Sequence, residues 1–152
     1  MADVRIHLVR PDDADELVAG LRPSDRAECE AVDVDPAVGI PASVRQSLLC
    51  WSAREPAGLV CIFGVTPASM MGGVGSPWMM GTPLLEARAK TRMKVCPGYI
   101  TRMLQAFPLL INWVHAENTT SVRWLKRLGF HMEQPAPYGP KRELFRRFEM
   151  RV

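Results

Sequence analysis

The sequence lacks any long apolar run, and this absence excludes proteins that cross a membrane on helices. No stretch of the 152 residues approaches the ~20 consecutive apolar residues that a transmembrane helix needs. The first residues, Met1 to Arg5, do not lead into the apolar core of a secretory signal peptide. We therefore expect a cytoplasmic protein, a description that includes the cytoplasm of an infected host.

Cysteine is scarce, and its spacing excludes the common zinc patterns. The four cysteines are Cys29, Cys50, Cys61 and Cys96, and none lies in a Cys-x-x-Cys pair. Cys50 and Cys61 stand inside apolar runs, which indicates buried thiols. We expect no metal site. The sequence also lacks repeats, linkers and low-complexity segments, so its length predicts one domain over residues 1–152.

Charge is unevenly distributed along the chain, although the formal net charge is only +3. Residues 1–35 carry ten acidic and four basic residues, whereas residues 86–127 carry eight basic and two acidic residues. The basic half favours an anionic partner, such as a phosphate-bearing cofactor, a nucleic acid or an acidic protein surface. The plainer interpretation is two oppositely charged, solvated faces of one domain. No nucleic-acid motif accompanies the basic residues, so nucleic acid is the weakest of these partners.

Hydrophobic periodicity predicts a mixed succession of strands and helices. The predicted strands are Val4–Val9, Leu48–Ala53, Leu59–Val65, Pro77–Thr82, residues 109–114, Phe130–Glu133 and Leu144–Val152. The predicted helices are Pro11–Leu21, Ser24–Cys29 with Ser24 as its cap, Ala42–Ser47, residues 83–106 with a break at Cys96–Gly98, and a helix that ends at Gly129. Loops are expected at Val32–Pro41, residues 68–76 and Pro135–Arg142. The pattern indicates an α/β or α+β sheet with helices on its faces.

The stretch 109–130 combines a buried strand, a polar corner and an amphipathic helix. The polar corner is His115–Ser121, and Gly129 ends the helix. The apolar positions of the helix are Val122, Leu125 and Leu128. Asn118 either contacts a ligand or caps the helix through its side chain. The start of this helix is therefore a candidate binding position.

The end of this stretch resembles the C-terminal signature of the GNAT N-acetyltransferases. In that signature an Asn ends a strand, a small residue follows three positions later, and the helix closes in Leu-Gly-Phe. Asn118, Ser121 and the run Leu128–Phe130 fit this spacing. The order of the predicted elements is also that of the GNAT fold. The resemblance implies a mixed, mostly antiparallel central sheet flanked by helices on both faces.

The sequence is also similar to a small GNAT-like family of short-tailed bacteriophages and prophages, some of whose members are named internal virion proteins. The residues that carry this similarity are Leu21–Glu28, Ile62–Val65, Gly75–Thr82, Asn118–Phe130 and the run from Pro137 through Met150. The similarity implies a phage or prophage protein in the host cytoplasm or in the virion. Its partners would then be virion or assembly proteins.

The GNAT resemblance implies transfer of an acetyl group from acetyl-CoA to an amine. A phosphate-bearing cofactor is expected near a helix start and near basic side chains. Arg88, Lys90 and Arg92 in the basic helix are candidates to hold the cofactor, together with Asn118 and Ser121 at the polar corner.

The amine acceptor must lose a proton to a base. Glu28 lies in the second predicted helix, which borders the acceptor groove in GNAT folds, and His115 stands at the end of a strand. Both are candidate catalytic residues. The alternative for each is a surface cap or an ion pair.

Two positions depart from the GNAT pattern. The family's phosphate loop, Arg/Gln-x-x-Gly-x-Gly/Ala after the fourth strand, is replaced here by Gly81-Thr82-Pro83. The usual acid is a Tyr seven residues after the Asn, a position that Leu125 occupies, and the two tyrosines, Tyr99 and Tyr138, stand elsewhere. The sequence thus predicts an N-acetyltransferase with an atypical cofactor loop. The alternatives are a catalytically inactive GNAT-fold virion or assembly protein and, more weakly, a polyanion-binding protein.

Overall fold

A computed structural model of the chain describes residues 3–69 and 71–152, without the side chains of residues 89–93. Strands and helices alternate irregularly along the described residues. The strands are β1 (Arg5–Leu8), β2 (Leu49–Glu55), β3 (Gly58–Pro67), β4 (Val74–Gly81), β5 (Leu109–His115), β6 (His131–Met132), β7 (Ala136–Tyr138) and β8 (Glu143–Arg151). The helices are α1 (Asp13–Ala19), α2 (Pro23–Ala31), α3 (Pro36–Gln46), α4 (Leu84–Ala87), α5 (Ala89–Ala106) and α6 (Thr119–Leu128).

The strands form one mixed sheet in the order β1-β2-β3-β4-β5-β8-β6, with β7 paired to β8. Neighbouring strands are antiparallel except β4 and β5, which run parallel. The predicted mixed, mostly antiparallel sheet is therefore confirmed. The predicted strand at Leu48–Ala53 is also confirmed, because β2 pairs with β3 over its whole length.

Helices cover both faces of the sheet. On one face, Leu17 of α1 and Ile40 of α3 pack with Ile62 of β3. On the other face, Met103 of α5 and Leu125 of α6 belong to the larger core cluster. We call these the α1/α3 face and the α5/α6 face. No helix in the described part of the chain is both long and apolar enough to cross a bilayer.

The parallel strands β4 and β5 separate soon after they meet. Their recorded pairs are Val74 with Leu109 and Gly75 with Leu110, at the start of each strand. Beyond these pairs β4 continues along β3 to Gly81, and β5 continues along β8 to His115. The sheet is therefore open between the carboxyl-terminal halves of β4 and β5.

The prediction of a loop at Val32–Pro41 was wrong, because helix α3 already begins at Pro36. The Asp35 side chain accepts a hydrogen bond from the Ala37 N–H at 3.0 Å and so caps the helix. Pro36 occupies the first turn, where its missing N–H leaves no bond unmade. The sequence Asp-Pro was the overlooked start signal. Pro41 lies inside the helix, which ends at Gln46.

The predicted break at Cys96–Gly98 was also wrong, because α5 runs through Pro97 without interruption. Cys96 and Met103 are both buried, so packing holds the segments on either side of Pro97 against the same sheet. Tertiary packing has overridden the local preference of proline and glycine.

Four smaller expectations also need correction. Ser24 does not cap α2, because it follows Pro23 inside the helix and Arg22 occupies the cap position. Helix α1 starts at Asp13 and not at Pro11, where the helix was expected to start. Strand β4 begins at Val74, within the predicted loop, and a Cβ at Gly75 would lie 2.6 Å from the Phe107 ring. Glycine at this position therefore permits close packing in a strand. The short strand β7 lies within the loop predicted at Pro135–Arg142.

Candidate active site

A cavity of about 320 Å³ occupies the opening between β4 and β5. Trp78 and Met80 line it and pack with the cluster on the α1/α3 face. Phe63 and Met103 line it as well and belong to the core on the α5/α6 face. The cavity therefore connects the two faces of the sheet through the gap between the strands.

The closed end of the opening is secured by a side chain of β5. Asn112 Nδ2 donates a hydrogen bond to the Pro77 carbonyl on β4 at 2.7 Å. Since main-chain groups alternate in direction along a strand, those of Met79 point to the same side of β4 as the Pro77 carbonyl. The Met79 N–H and C=O therefore face the opening, where β5 no longer pairs with β4. Asn112 was not predicted; a polar residue inside the apolar run 109–114 is the signal that could have found it.

Helix α2 bridges the free ends of the two separated strands. The Gly81 N–H at the end of β4 donates to Asp25 Oδ2 at 2.8 Å. The His115 N–H at the end of β5 donates to Glu28 Oε1 at 3.1 Å. Residues three apart lie on one side of a helix. One side of α2 thus holds the carboxyl ends of β4 and β5 apart and borders the cavity.

Asp25 forms a buried ion pair with Arg22. Arg22 Nε donates to Asp25 Oδ2 at 2.6 Å and Nη2 donates to Oδ1 at 3.2 Å, so both carboxylate oxygens are engaged. The Arg22 N–H also donates to the Gly81 carbonyl at 2.9 Å. A buried charge needs such partners because unpaired burial is unfavourable. The pair fixes the start of α2 to the end of β4.

Three main-chain donors of the turn after β4 are occupied by the chain itself. The Gly81 N–H bonds Asp25, the Thr82 N–H bonds the Val60 carbonyl at 3.0 Å, and the Leu85 N–H bonds the Thr82 carbonyl at 3.0 Å. The Thr82 hydroxyl donates to the Leu59 carbonyl at 2.6 Å. These donors are therefore not directed at a phosphate group.

Glu28 lines the cavity and has a raised proton affinity. Burial raises the pKa of its carboxyl above the ordinary value, and the nearby Asp25 charge acts in the same direction. The hydrogen bonds from Asn118 Nδ2, at 3.1 Å, and from the His115 N–H lower the pKa in part. Both bonds end on Oε1, and within the described residues no bond to Oε2 is recorded. One oxygen is held while the other is available to the cavity.

His115 does not line the cavity, and its link to the cavity is the bond from its N–H to Glu28. His115 Nδ1 accepts from the Glu117 N–H at 3.2 Å. Because Nδ1 accepts, the other ring nitrogen, Nε2, carries a proton and donates it to Glu143 Oε1 at 3.0 Å. The ring also packs edge-on against Phe145. Both nitrogens of the candidate base His115 are thus engaged by other groups.

Asn118 caps helix α6 and holds Glu28 with the same side chain. Its Oδ1 accepts from the Ser121 N–H at 3.3 Å, and its Nδ2 donates to Glu28. The capping interpretation of Asn118 is thus confirmed, and the same side chain positions Glu28, whereas contact with a ligand stays a prediction. Ser121 and Leu125 follow on α6 and line the cavity.

The basic candidates are not brought to this cavity by the described contacts. Arg88 Nη2 donates to the buried Glu55 carboxylate on β2 at 2.6 Å. Arg88 does not line the cavity between β4 and β5. The side chains of Lys90 and Arg92 lie outside the described residues.

Both tyrosines line the cavity, one on each face. Tyr99 of α5 packs edge-on against Trp51 and Phe63. Tyr138 of β7 stacks on Trp113 with ring centroids 4.8 Å apart. No sequence signal pointed to either position, because both depend on packing between elements distant in the chain.

The four cysteines are buried and form no disulfide. Burial raises the pKa of Cys29 and of Cys50 to about 11, so both thiols stay protonated near neutral pH. The predicted burial of Cys50 and Cys61 is confirmed.

Several solved structures similar to this chain are described as acetyltransferases. A predicted acetyltransferase from Acinetobacter baylyi superposes with a TM-score of 0.77 at 14% identity over 100% of this chain and 94% of that one. Spermidine N-acetyltransferase from Vibrio cholerae, solved with CoA and spermine, superposes with a TM-score of 0.72 at 8% identity, over 97% of this chain and 95% of that one. A GNAT-family acetyltransferase from Streptococcus pneumoniae superposes with a TM-score of 0.67 at 14% identity, over 99% of this chain and 100% of that one.

The chain has the GNAT fold. At identities of 8% to 14% these likenesses establish the fold and nothing finer. No protein-family model matches the sequence, and no curated protein matches it. The similarity to phage proteins gains no support from these structures.

Proposed function

We propose that this protein is an N-acyltransferase that moves an acetyl group from acetyl-CoA to an amine. The observation that carries the proposal is the cavity through the sheet between β4 and β5, bordered by Glu28. Such a passage allows an acyl donor to enter from the α5/α6 face and an amine from the α1/α3 face. The GNAT fold of the chain and the CoA-bound structure of one neighbour support it.

The residues fit one part of acetyl-CoA better than another. When bound, this cofactor supplies an activated acyl group as a thioester. The Met79 main chain and the apolar lining around Leu125 suit the slender arm that carries the thioester. The turn at Gly81–Leu85 suits the diphosphate less well, since its Gly81, Thr82 and Leu85 N–H groups are already occupied. Contacts to the phosphates fall instead to the start of α5, where Lys90 and Arg92 remain candidates.

Glu28 is the proposed general base. Its carboxyl combines a raised pKa with an oxygen available to the cavity. A base works best when its pKa approaches the working pH, because it is then both ionised and able to take a proton. Asn118 and the His115 main chain hold the other oxygen and so orient the carboxylate. The His115 imidazole stays a second candidate, and its basic nitrogen, Nδ1, becomes free only if the bond from the Glu117 N–H opens.

Release of free thiol from acetyl-CoA in the presence of amines tests this assignment. Glu28→Gln keeps the shape of the side chain but cannot take the proton, so kcat/KM should fall about 10²–10⁴-fold. Glu117→Gln is the matched control, because Glu117 is exposed and at the same strand end. Equal rates for the two variants, both well above the uncatalysed rate, would remove Glu28 from the chemistry.

A second candidate is a virion or assembly protein that keeps the fold without the chemistry. Leu125 lines the cavity where the GNAT resemblance implies a Tyr that acts as the general acid, and three N–H donors of the turn after β4 are engaged within the chain. Both observations favour this alternative. Copurification of the chain with particles from an induced prophage, together with no thiol release for any amine, would support it. Transfer activity of the purified protein would exclude it.

A further inference from the structure

The cavity contains a single carboxylate that no cation neutralises. Among the described residues that line it, the acids are Asp25 and Glu28, and the one cation is Arg22. Arg22 and Asp25 neutralise each other in their buried pair. Glu28 therefore remains as the one negative charge available to a ligand, and it matches one ammonium group.

The walls beside Glu28 are apolar. On the side of α2 and α3 they are formed by Val32, Val34 and Ile40. Trp78 and Met80 of β4 complete this side. Val34 is 40% exposed, so this wall reaches the surface and leaves an entrance open. A ligand of this space gains from burying an apolar body.

An aromatic wall faces the aliphatic one across the entrance. Trp113 and Tyr138 are stacked with an interplanar angle of 18°, and Phe145 lies 5.2 Å from the Tyr138 ring. The two walls meet at the turn after β7, where a Cβ on Gly139 would lie 3.4 Å from Val32. The space beside Glu28 is thus lined by rings on one side and by branched side chains on the other.

The spacing between the charge and the rings fits a small amine. Trp113 precedes His115 by two residues on β5, and the His115 N–H holds Glu28. Two residues of a strand span roughly 7 Å, which is the length of a short arylalkyl group. An ammonium group at Glu28 therefore places its attached body against Trp113 and Tyr138.

We propose that the acceptor is a primary monoamine on an aromatic or similarly apolar body. The proposal rests on the proposed acyl transfer and specifies its acceptor. A polyamine is a poor match, because its further ammonium groups would enter an apolar space without acidic partners. This separates the chain from its structural neighbour that was solved with spermine.

Calorimetric titration of the full chain with three probes tests the proposal independently of turnover. The probes are 2-phenylethylamine, the uncharged 2-phenylethanol and spermine, at one ionic strength near neutral pH. We expect 2-phenylethylamine to bind at least about tenfold more tightly than either other probe, because only it satisfies both the carboxylate and the rings. Glu28→Gln should abolish most of the preference for the amine over the alcohol.

Trp113→Leu tests the aromatic wall. Leu144→Ala, at a half-exposed residue of β8, is the control. Trp113→Leu should weaken the binding of 2-phenylethylamine about tenfold. The preference of the protein for 2-phenylethylamine over 2-phenylethanol should remain. Circular dichroism of both variants establishes that they are folded. Binding of spermine as tight as that of 2-phenylethylamine, or no effect of Trp113→Leu in a folded variant, would overturn the proposal.

The failure of the acceptor proposal is distinguishable from failure of the proposed function. Acetyl transfer to spermine but not to 2-phenylethylamine would overturn the acceptor class and leave the acyltransferase in place. Binding of 2-phenylethylamine through Glu28, without transfer to any amine, would overturn the acyltransferase and leave the binding site in place.

Discussion

Asp25→Ala should strongly destabilise the protein, because it removes the side chain that ties α2 to the end of β4. Asp25 is 3% exposed and accepts bonds from Arg22 and from the Gly81 N–H. The substitution leaves the Arg22 charge buried without its main partner, which costs about 3–5 kcal/mol. The lost acceptor for Gly81 is worth about 1–3 kcal/mol, and this overlaps with the first effect rather than adding to it.

The expected loss is therefore about 3–5 kcal/mol in the free energy of unfolding, or a fall in Tm of roughly 6–20 °C for a chain of this length. Urea and thermal unfolding followed by circular dichroism measure both. Glu30→Ala is the control, since Glu30 is an exposed acid on the same helix, and it should change stability by less than about 0.5 kcal/mol. A second arm adds Arg22→Met to Asp25→Ala, which should recover part of the loss by removing the unpaired charge. A loss below about 1 kcal/mol for Asp25→Ala would refute the reasoning.

Two further predictions concern Glu28 and Gly129. The folded-state pKa of Glu28 is raised above 4.5, so folding favours the protonated carboxyl. The contribution of Glu28 to the unfolding free energy therefore falls as the pH rises from below 4.5 through the raised pKa. The unfolding free energy of wild type minus that of Glu28→Gln should therefore decrease over this window in urea titrations, and a difference that increases with pH would contradict the burial argument. Gly129 ends α6 with φ of 103°, a conformation that costs an L-residue about 1–2 kcal/mol. Gly129→Ala should lower the unfolding free energy by about this amount, whereas Gly98→Ala, in open space, should not.

Features encoded by nearby residues could be predicted from the sequence. The alternation in β8 and the succession of strand, Asn118, helix and Gly129 each depend on a short run of residues. Where a contact between residues distant in the chain determines the local structure, prediction from a short run of residues fails. Pro97 was expected to break α5, but the burial of Cys96 and Met103 keeps the helix continuous.

Of the candidate residues named from the sequence, Glu28 and Ser121 line the cavity, but the connections of the site could not be predicted. Glu28 was identified as a candidate base, and the structure places it at the cavity. Its bond to the His115 N–H spans 87 residues, and the bond between Asp25 and Gly81 spans 56 residues. No local pattern encodes such pairings, because they depend on how α2 crosses two separated strands. The aromatic wall of Trp113 and Tyr138 escaped prediction for the same reason.

Binding of acetyl-CoA to the purified chain tests the central claim most directly. The account holds that the opening between β4 and β5 receives the acyl donor, so a ligand that binds only the native state must raise its stability. At an acetyl-CoA concentration of about 100 times the Kd, the free energy of unfolding increases by about 2.7 kcal/mol, which corresponds to a rise in Tm of roughly 5–11 °C. Ser121→Trp, which places a large ring in the cavity lining, should abolish this rise, whereas the exposed Thr120→Trp should not. An unchanged Tm at millimolar acetyl-CoA, with no heat of binding, would contradict the account.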